Sequence, residues 1–250
     1  MPDDFPSAAA QFPDPFRLLI RETAASTNDE ARMLGEKGSP HGLVVLALHQ
    51  LAGRGRRGAA WFSPAGHSLA FSILLRPTEP KSLWPRLALA AGLAVAEAVE
   101  SFGPSAGIKW PNDVWIGRRK VAGILVEAGN DFAVVGIGIN VTTTEFPPEV
   151  AGIATSIAAE NGNEPARHEV LAAVVRRFAH HQGQIGSGFA ELLDSVRQRC
   201  VLTGQRVSLL TSSGPRHGVI AGIAPGGELI LQTPEGTENL IQADEIRLLD

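Results

Sequence analysis

The most unusual segment of the sequence, residues 53–58, reads Gly-Arg-Gly-Arg-Arg-Gly. It satisfies the G-x-G-x-x-G spacing of a dinucleotide-binding fingerprint, whose third glycine opens a helix. Here a strand-like run containing a proline follows instead, which argues against that fold. Three guanidinium groups on a glycine-rich backbone are suited to close over a polyanion and bind its phosphate oxygens. We therefore predict a mobile, phosphate-covering loop; a solvated basic turn and a nucleic-acid-binding arm are the alternatives.

A second polar segment, Lys109-Trp110-Pro111-Asn112-Asp113, precedes Lys120, which leads directly into the apolar run VAGILVE. An ammonium group at the start of such a strand is partly desolvated and suits a carboxylate or a phosphate ligand. Asn112 and Asp113 add an amide and a carboxylate at a strand end. A plain Asx turn after proline explains these two residues equally well.

Glycines occupy alternate positions of the run Gly136-Ile137-Gly138-Ile139-Asn140. The missing side chains would let a ligand lie against the strand, whereas a bulge or close helix packing is the structural alternative.

Four further polar residues, Ser26, Thr27, Asn28 and Gln50, complete the candidate set. The TNDE sequence that starts at Thr27 matches the Thr-x-x-Glu capping box, so helix capping alone would explain the first three. Gln50 could be an ordinary loop residue. Individually, these residues do not establish a site.

The elements that would position these residues follow from hydrophobic periodicity. Strands are predicted from about Phe16 and on both sides of the glycine-rich loop, a short helix at NDEARMLGEK, and an apolar helix over residues 84–102. Three β-type runs then form a meander, and a helical block over residues 165–200 covers a sheet face. Short alternating strands from Gly204 predict a small β-barrel, so we divide the chain into a loose lead-in (1–15), a main domain (16–200) and a barrel domain (201–250).

Composition excludes several classes of protein. The 250 residues carry a formal net charge of -4, which argues against a general nucleic-acid binder. The single Cys200 cannot form an internal disulfide, and no Cys or His pair has zinc-site spacing. With neither a signal peptide nor a transmembrane segment recognisable, the sequence predicts a cytoplasmic protein that does not bind membranes.

Taken together and in order, the motifs STN, Gln50 with GRGRRG and Trp61, KWPND, RKVAGIL and G-x-G-x-N resemble those of the biotin protein ligase family. The resemblance runs from about Phe16 to the end of the chain. It implies an α+β fold: a mixed β-sheet with helices packed on one side, of the class II synthetase-like biotin/lipoate ligase type, followed by a small SH3-like β-barrel.

The resemblance also implies roles for individual residues. The residues expected to bind biotin are Ser26, Thr27, Asn28, Gln50, Gly53, Arg54, Arg56, Lys120, Gly123 and Ile124. The residues expected to bind the nucleotide are Arg54, Arg56, Arg57, Trp61, Asn112, Lys120, Gly138 and Asn140. Lys120 and Arg56 would neutralise phosphate oxygens during catalysis. We further hypothesise that Asp113 orients or deprotonates the acceptor amine, or else binds Mg²⁺; no metal ligand is assigned beyond that.

The implied activity joins biotin and ATP, with Mg²⁺, to biotinyl-5'-AMP and pyrophosphate, and then transfers biotin to a lysine of a biotin carboxyl carrier protein of acetyl-CoA carboxylase or a related carboxylase. Only about 25 residues precede Ser26, fewer than a DNA-binding domain needs, so we expect neither DNA binding nor repression. A homodimer is left open. The rival hypotheses are a lipoate-type ligase, which needs no ureido-binding corner, and a catalytically silent biotin-binding protein.

Overall fold

The computed structural model describes residues 3–211 and 214–249. Its main sheet has seven strands in the order β1-β2-β3-β7-β6-β5-β4. The strands are β1 (Arg17–Ala24), β2 (Leu43–Gln50), β3 (Ser68–Leu75), β4 (Gly107–Lys109), β5 (Asp113–Ile116), β6 (Arg119–Ala128) and β7 (Ala133–Asn140). Strands β1 and β2 pair in parallel and the remaining neighbours are antiparallel, so the sheet is mixed, as predicted.

The central strands carry apolar side chains on both faces. Every residue of β3, SLAFSILL, is buried, which explains its nearly continuous apolar sequence. Ile73 and Leu75 belong to the main hydrophobic core, whereas Leu74 packs in a smaller cluster on the other face. Because successive strand residues point to opposite faces, each central strand contributes to two different environments.

Six helices accompany the two sheets in the described part of the chain. They are α1 (Phe5–Ala9), α2 (Thr27–Glu36), α3 (Arg86–Glu100), α4 (Ile157–Asn161), α5 (Arg167–His181) and α6 (Phe189–Arg199). Helices α3 and α5 pack on each other and form the main core with one face of the sheet, which confirms the predicted helical layer. Among the described residues, no helix is long and apolar enough to cross a membrane.

Helix α2 lies on the opposite face of the main sheet. Its Ala31 packs with Val45, Leu74, Phe132 and Val134 in the smaller cluster. The face that α2 covers only partly is the one on which a pocket remains open.

The C-terminal strands form a second, five-stranded antiparallel sheet in the order β11-β10-β9-β8-β12. They are β8 (Arg206–Thr211), β9 (Gly214–Ile223), β10 (Leu229–Thr233), β11 (Gly236–Leu240) and β12 (Glu245–Leu248). The predicted small C-terminal β domain is confirmed; among the described residues its sheet does not close, because no pairing joins the outer strands β11 and β12. The connection between them, residues 241–244, instead reaches the pocket of the main sheet through Asp244.

The first residues are not the loose lead-in that their Pro-rich, acidic sequence suggested. Phe5, Ala8 and Phe12 are buried in the main core, and α1 packs against α5. Asp3 also pairs with Arg167 at 2.6 Å. These three apolar side chains, at helical or near-helical spacing, attach the segment to the main core.

The division at residues 200 and 201 remains a prediction, although the change of sheet falls between α6 and β8.

A part-buried pair between His181 and Glu97 joins the end of α5 to α3. His181 Nε2 lies 2.9 Å from Glu97 Oε2, and Nδ1 lies 2.9 Å from Gln184 Oε1. Burial alone would lower the pKa of His181, but its hydrogen bonds with Glu97 and Gln184 raise it above 6.5. The hydrogen bond from His181 lowers the pKa of Glu97 below 4.5 against the opposing effect of burial.

These shifts predict a pH window for stability. The contribution of His181 is complete below pH 6.5 and is lost as the pH rises through its raised pKa. That of Glu97 is complete above pH 4.5 and is lost as the pH falls through its lowered pKa. In urea unfolding, His181→Gln should therefore lose about 1 kcal/mol more stability at about pH 5.5 than at about pH 8.5. The exposed neighbour provides the control, His180→Gln, and an equal loss at both pH values would contradict the pair.

Candidate functional site

A pocket of about 210 Å³ opens on the sheet face opposite α3 and α5. Its floor is built from residues that alternate along three neighbouring strands: Ala70 on β3, Gly136 and Gly138 on β7, and Gly123 and Leu125 on β6. The N-terminus of α2 closes one end, and the arginine loop, residues 51–60, closes the other. Volumes of about 300–1,000 Å³ are usual for ligand pockets, so this one is partly filled by the chain's own side chains.

Most of the predicted site residues meet in this pocket. Those that line it are Ser26, Thr27, Asn28, Gln50, Arg54, Arg56, Trp61, Asn112, Asp113, Lys120, Gly123, Ile124 and Gly138. Three predicted residues, Gly53, Arg57 and Asn140, do not line it. Gly53 still has a local role, since an added Cβ there would lie 2.7 Å from both Gln50 Nε2 and the Trp61 carbonyl oxygen.

A neutral, hydrogen-bonding corner forms where α2 begins. Gln50 Oε1 accepts from the Thr27 backbone N–H at 3.0 Å, so the amide of Gln50 is fixed against the first turn of α2. Ser72 Oγ, fully buried on β3, lies 2.7 Å from Thr27 Oγ1 and 2.6 Å from Asn28 Oδ1. Asn28 Nδ2 donates to Glu127 Oε2 at 2.6 Å. The corner offers both donors and acceptors to a polar, uncharged group.

The predicted capping box is wrong. The N-cap of α2 is Ser26, one residue earlier than the pattern requires, and its side chain makes no capping hydrogen bond. Glu30 instead accepts from Arg21 Nε at 2.8 Å. The polar side chains at the start of α2 are therefore not used for helix capping and face the pocket.

The alternating glycines of β7 accommodate side chains of this chain itself. A Cβ on Gly136 would overlap the Asn28 amide, and one on Gly138 would overlap the indole of Trp61. Gly123 lies opposite Gly138 in the β6–β7 ladder, and a Cβ there would lie 3.2 Å from the same indole. Trp61 thus lies flat against two strands, with a buried Nε1 that has no partner among the described residues.

The arginine loop is folded and held at several points. Gly55 N donates to Ala59 O at 2.7 Å, and Trp61 N donates to Gly53 O at 2.9 Å. Arg54 forms a two-bond pair with Asp29 of α2, at 2.8 and 2.5 Å, and these hydrogen bonds raise the pKa of Arg54. The loop therefore closes over the pocket through contacts within the protein.

Arg56 and Arg57 continue the loop towards the C-terminal sheet. Arg56 donates to Asn112 Oδ1 at 3.2 Å and to the Ala243 carbonyl oxygen at 3.0 Å. Burial, and then the neighbouring Arg57, lowers the pKa of Arg56, although a guanidinium group remains charged at neutral pH. Arg57 does not line the pocket, and it pairs with Asp244, which does.

Lys120 and Asp113 form the second charged part of the site. Lys120 Nζ lies 2.7 Å from Asp113 Oδ1 and 5.4 Å from the centre of the Trp61 ring. Asn112 is fixed behind them, because its Nδ2 donates to the Ile124 carbonyl oxygen at 2.8 Å. Burial lowers the pKa of nearby Lys109, whereas Asp113 raises it and Lys120 lowers it further. The pattern at Asn112 and Asp113 is thus more than an Asx turn.

The pairing of charges defines what the pocket can bind. Lys120, Arg54 and Arg57 each have a carboxylate partner, whereas the contacts of Arg56 are with an amide and a carbonyl oxygen. An entering anion would meet Arg56 directly and could displace Asp113 from Lys120. The pocket therefore combines a neutral corner with a cationic end on one sheet face.

Asn140 does not belong to this arrangement. It is only 3% exposed, and its Nδ2 donates to the Thr155 carbonyl oxygen at 2.9 Å. Asn140 therefore does not line the pocket, although it follows Gly136 and Gly138 at strand spacing, and its Oδ1 is buried with no partner among the described residues.

Sequence reasoning did not identify Ser72, Glu127 or Asp244 as site residues. A hydroxyl in the otherwise apolar run SLAFSILL was a usable signal for Ser72. Glu127 follows Gly123 and Leu125 at strand spacing, which would have placed it on the same face. Nothing in the sequence connected Asp244 to a loop almost 190 residues earlier.

Comparison with known proteins agrees with this geometry. Residues 21–142 match the model of the biotin/lipoate A/B protein ligase family. A biotin–[acetyl-CoA-carboxylase] ligase of Paracoccus denitrificans is 36% identical over 88% of this chain and 96% of its own. A bifunctional ligase/repressor BirA of Bacillus spizizenii is 33% identical over 91% of this chain and 73% of its own.

This chain belongs to the biotin protein ligase family. A solved biotin protein ligase from Aquifex aeolicus, in complex with biotin and ATP, superposes with a TM-score of 0.84 at 33% identity, covering 93% of this chain and 99% of the other. The predicted fold class is confirmed: a mixed sheet with helices, followed by a separate antiparallel C-terminal sheet. In the chain described here, every pocket-lining residue except Asp244 falls within the segment that the family model matches.

The contact between Trp61 and β7 can be tested by adding one methyl group. Gly138→Ala places a Cβ inside the indole and should displace Trp61 from the strand, destabilising the protein by about 1–3 kcal/mol, as overpacking usually does. Acrylamide quenching should show a more accessible Trp61 when the signal of a Trp61→Phe variant is subtracted.

The control is Gly152→Ala, whose added Cβ would have no neighbour within 4 Å. Unchanged quenching in Gly138→Ala would show that Trp61 does not lie on the strand in solution.

Proposed function

We propose that this protein is an ATP-dependent biotin protein ligase. It forms biotinyl-5'-AMP and pyrophosphate from biotin and ATP, and then transfers biotin to a lysine of a biotin carboxyl carrier protein. The observation that supports this most strongly is the combination, on one sheet face, of the neutral corner at Thr27 and Gln50 with the cationic end at Arg56 and Lys120. An acyl-adenylate of biotin has the same division into an uncharged polar ring and an anionic linkage.

The neutral corner fits the ureido ring of biotin. A buried cyclic urea loses free energy for each polar atom that lacks a hydrogen bond. Ser26, Thr27, Asn28 and Gln50 supply donors and acceptors within this corner, and Ser72 and Glu127 hold two of them in place. The backbone of Gly123 and the side chain of Ile124 would contact the remainder of the bicyclic ring.

The first half-reaction must overcome repulsion between two anions, the biotin carboxylate and the α-phosphate of ATP. Arg56 and Lys120 lie at the end of the pocket where these groups would meet, and their charges would be stabilising as negative charge shifts from the carboxylate to the leaving pyrophosphate. Trp61 would move from its contact with Gly138 to pack against the adenine, with Asn112 beside the nucleotide. Positioning and electrostatics suffice, without a protein nucleophile.

Mg²⁺ is expected to accompany ATP. In proteins it usually binds through one or two carboxylates together with substrate phosphates. Among the described residues there is no group of three or more His, Cys, Asp or Glu that could hold a metal ion by itself. Asp113 is the carboxylate beside Lys120 and fits that limited role. The ion would supply additional neutralisation of phosphate charge.

The second half-reaction requires a neutral amine. A lysine side chain is normally protonated near neutral pH, so it must lose a proton before it attacks the mixed anhydride. If the adenylate draws Lys120 towards its phosphate, Asp113 loses its 2.7 Å partner and becomes available to the acceptor ammonium. Asp113 would then orient the amine or take its proton.

The acceptor would be a biotin carboxyl carrier protein of acetyl-CoA carboxylase or a related carboxylase. The ligase of Paracoccus denitrificans carries that carboxylase in its name. A cytoplasmic location, the absence of operator binding and a homodimer stay predictions from the sequence. A lipoate-type ligase remains the second candidate, since the family model covers both kinds of ligase.

Pyrophosphate release by the purified protein with ATP and Mg²⁺ tests the proposal. We expect release that depends on biotin and is not supported by lipoate, followed by labelling when a biotin carboxyl carrier domain is added. Release with lipoate alone would overturn the substrate but keep the adenylation chemistry. No release with either acid would favour a silent biotin-binding protein.

Asp113→Asn separates the two half-reactions. We expect pyrophosphate release close to that of the unaltered protein, and carrier labelling slowed about 100-fold, the lower end of general-base effects. Asp131→Asn, which removes an exposed carboxylate that pairs with Arg76, is the matched control. Normal rates of both steps would remove Asp113 from the mechanism, and slower pyrophosphate release would favour the Mg²⁺ role.

A further inference from the structure

The contact between Arg57 and Asp244 joins the arginine loop to the C-terminal sheet. Arg57 Nη1 pairs with Asp244 Oδ2, and in the same place Arg56 Nη2 donates to the Ala243 carbonyl oxygen at 3.0 Å. Asp244 is itself anchored, because its backbone N–H donates to Leu210 O of β8 at 2.8 Å. The loop is thus fastened to a residue that is itself hydrogen-bonded to strand β8.

Arg57 also adopts a backbone conformation that needs support. Its φ of 57° lies in the left-handed region, where it is the one residue other than glycine in the described part of the chain. For such a residue this conformation costs about 1–2 kcal/mol and persists where surrounding contacts hold it. The ion pair with Asp244 provides such a contact on the side-chain end of Arg57.

A carboxylate is an unexpected choice at this position. Asp244 lines the same pocket as Arg56 and Lys120, the cations proposed to bind anionic groups. An unpaired Asp244 carboxylate in that pocket would repel a phosphate. Pairing with Arg57 neutralises that charge. Asp244 Oδ1 is buried with no other partner among the described residues, so no competing hydrogen bond draws the carboxylate away from Arg57.

We propose that Asp244 is a positioning residue whose ion pair with Arg57 holds the arginine loop closed and thereby retains the acyl-adenylate on the enzyme. Arg54 with Asp29 fastens the loop on the α2 side, and Arg57 with Asp244 fastens it on the C-terminal side. Arg56, between them, is left to meet the ligand. The retention of the intermediate rests on the proposed ligase function, whereas the fastening of the loop does not.

The fastening is tested first in the ligand-free protein, with trypsin. Asp244→Asn keeps the size of the side chain and removes its charge, and it should raise the rate of cleavage within residues 51–60 about tenfold. Glu238→Gln is the matched control, since it removes a carboxylate that pairs with Arg216 in the same sheet. In an Arg57→Gln background, Asp244→Asn should change the rate of cleavage after Arg54 and Arg56 less than about twofold. The ion pair is already absent there, and the effects of substituting two residues in contact are not additive.

Retention is tested with the enzyme loaded with biotin and ATP and freed of excess substrate. Asp244→Asn should shorten the half-life of the bound adenylate about tenfold, and added salt should accelerate loss from the unaltered enzyme more than from the variant. Thermal unfolding of the variant should change little, which a purely structural role would not allow.

Equal cleavage of the variant and the unaltered protein, or an effect that persists in full without Arg57, would overturn the ion pair as the fastening. Faster cleavage with an unchanged adenylate half-life would overturn its role in retention. Faster cleavage in a protein that forms no adenylate with either acid would instead refute the ligase function and leave the fastening in place.

Discussion

The two-residue period of the strands is the constraint on which the core and the site both depend. In β3, the residues at odd positions from Leu69 to Leu75 form the main core with α3 and α5, while Ala70 lines the pocket and Ser72 binds Thr27 on the opposite face. The same alternation in β7 sends Val135 and Ile137 into the core and leaves Gly136 and Gly138 on the other face. A one-residue shift in register would exchange these faces completely, so the stability of the core fixes the position of the site.

Charge pairing adds a second constraint to this geometry. The pocket and the arginine loop carry cations that would repel one another if left alone, and the protein supplies Asp113 for Lys120, Asp29 for Arg54 and Asp244 for Arg57. Two of these pairs lie on the arginine loop, and all three offset the cost of taking charged groups out of water. An anionic ligand that binds one of these paired cations would have to displace its carboxylate partner. Arg56, held by neutral acceptors, is the charge that needs no such exchange.

The sequence was sufficient for the parts of the site that are local. Strand ends, glycine spacing and the basic loop placed Lys120, Gly138 and Arg56 together, because each lies at a recognisable position in its own element. It was misleading where one pattern has two physical explanations. The capping box at Thr27 was such a case, since the helix begins one residue earlier than that pattern requires. The side chains expected to cap the helix face the pocket instead. Asn140 was another, because only tertiary contacts reveal that its amide binds Thr155.

Local sequence patterns could not predict which distant segments of the chain meet in the folded protein. Whether five short strands close into a barrel depends on pairing between the outermost two, and among the described residues β11 and β12 do not pair. The segment between these strands contacts both parts of the fold: the Asp244 backbone N–H donates to Leu210 O of β8, while the Asp244 side chain pairs with Arg57 of the arginine loop. This contact depends on where two segments far apart in the sequence meet, and no local pattern contains that information.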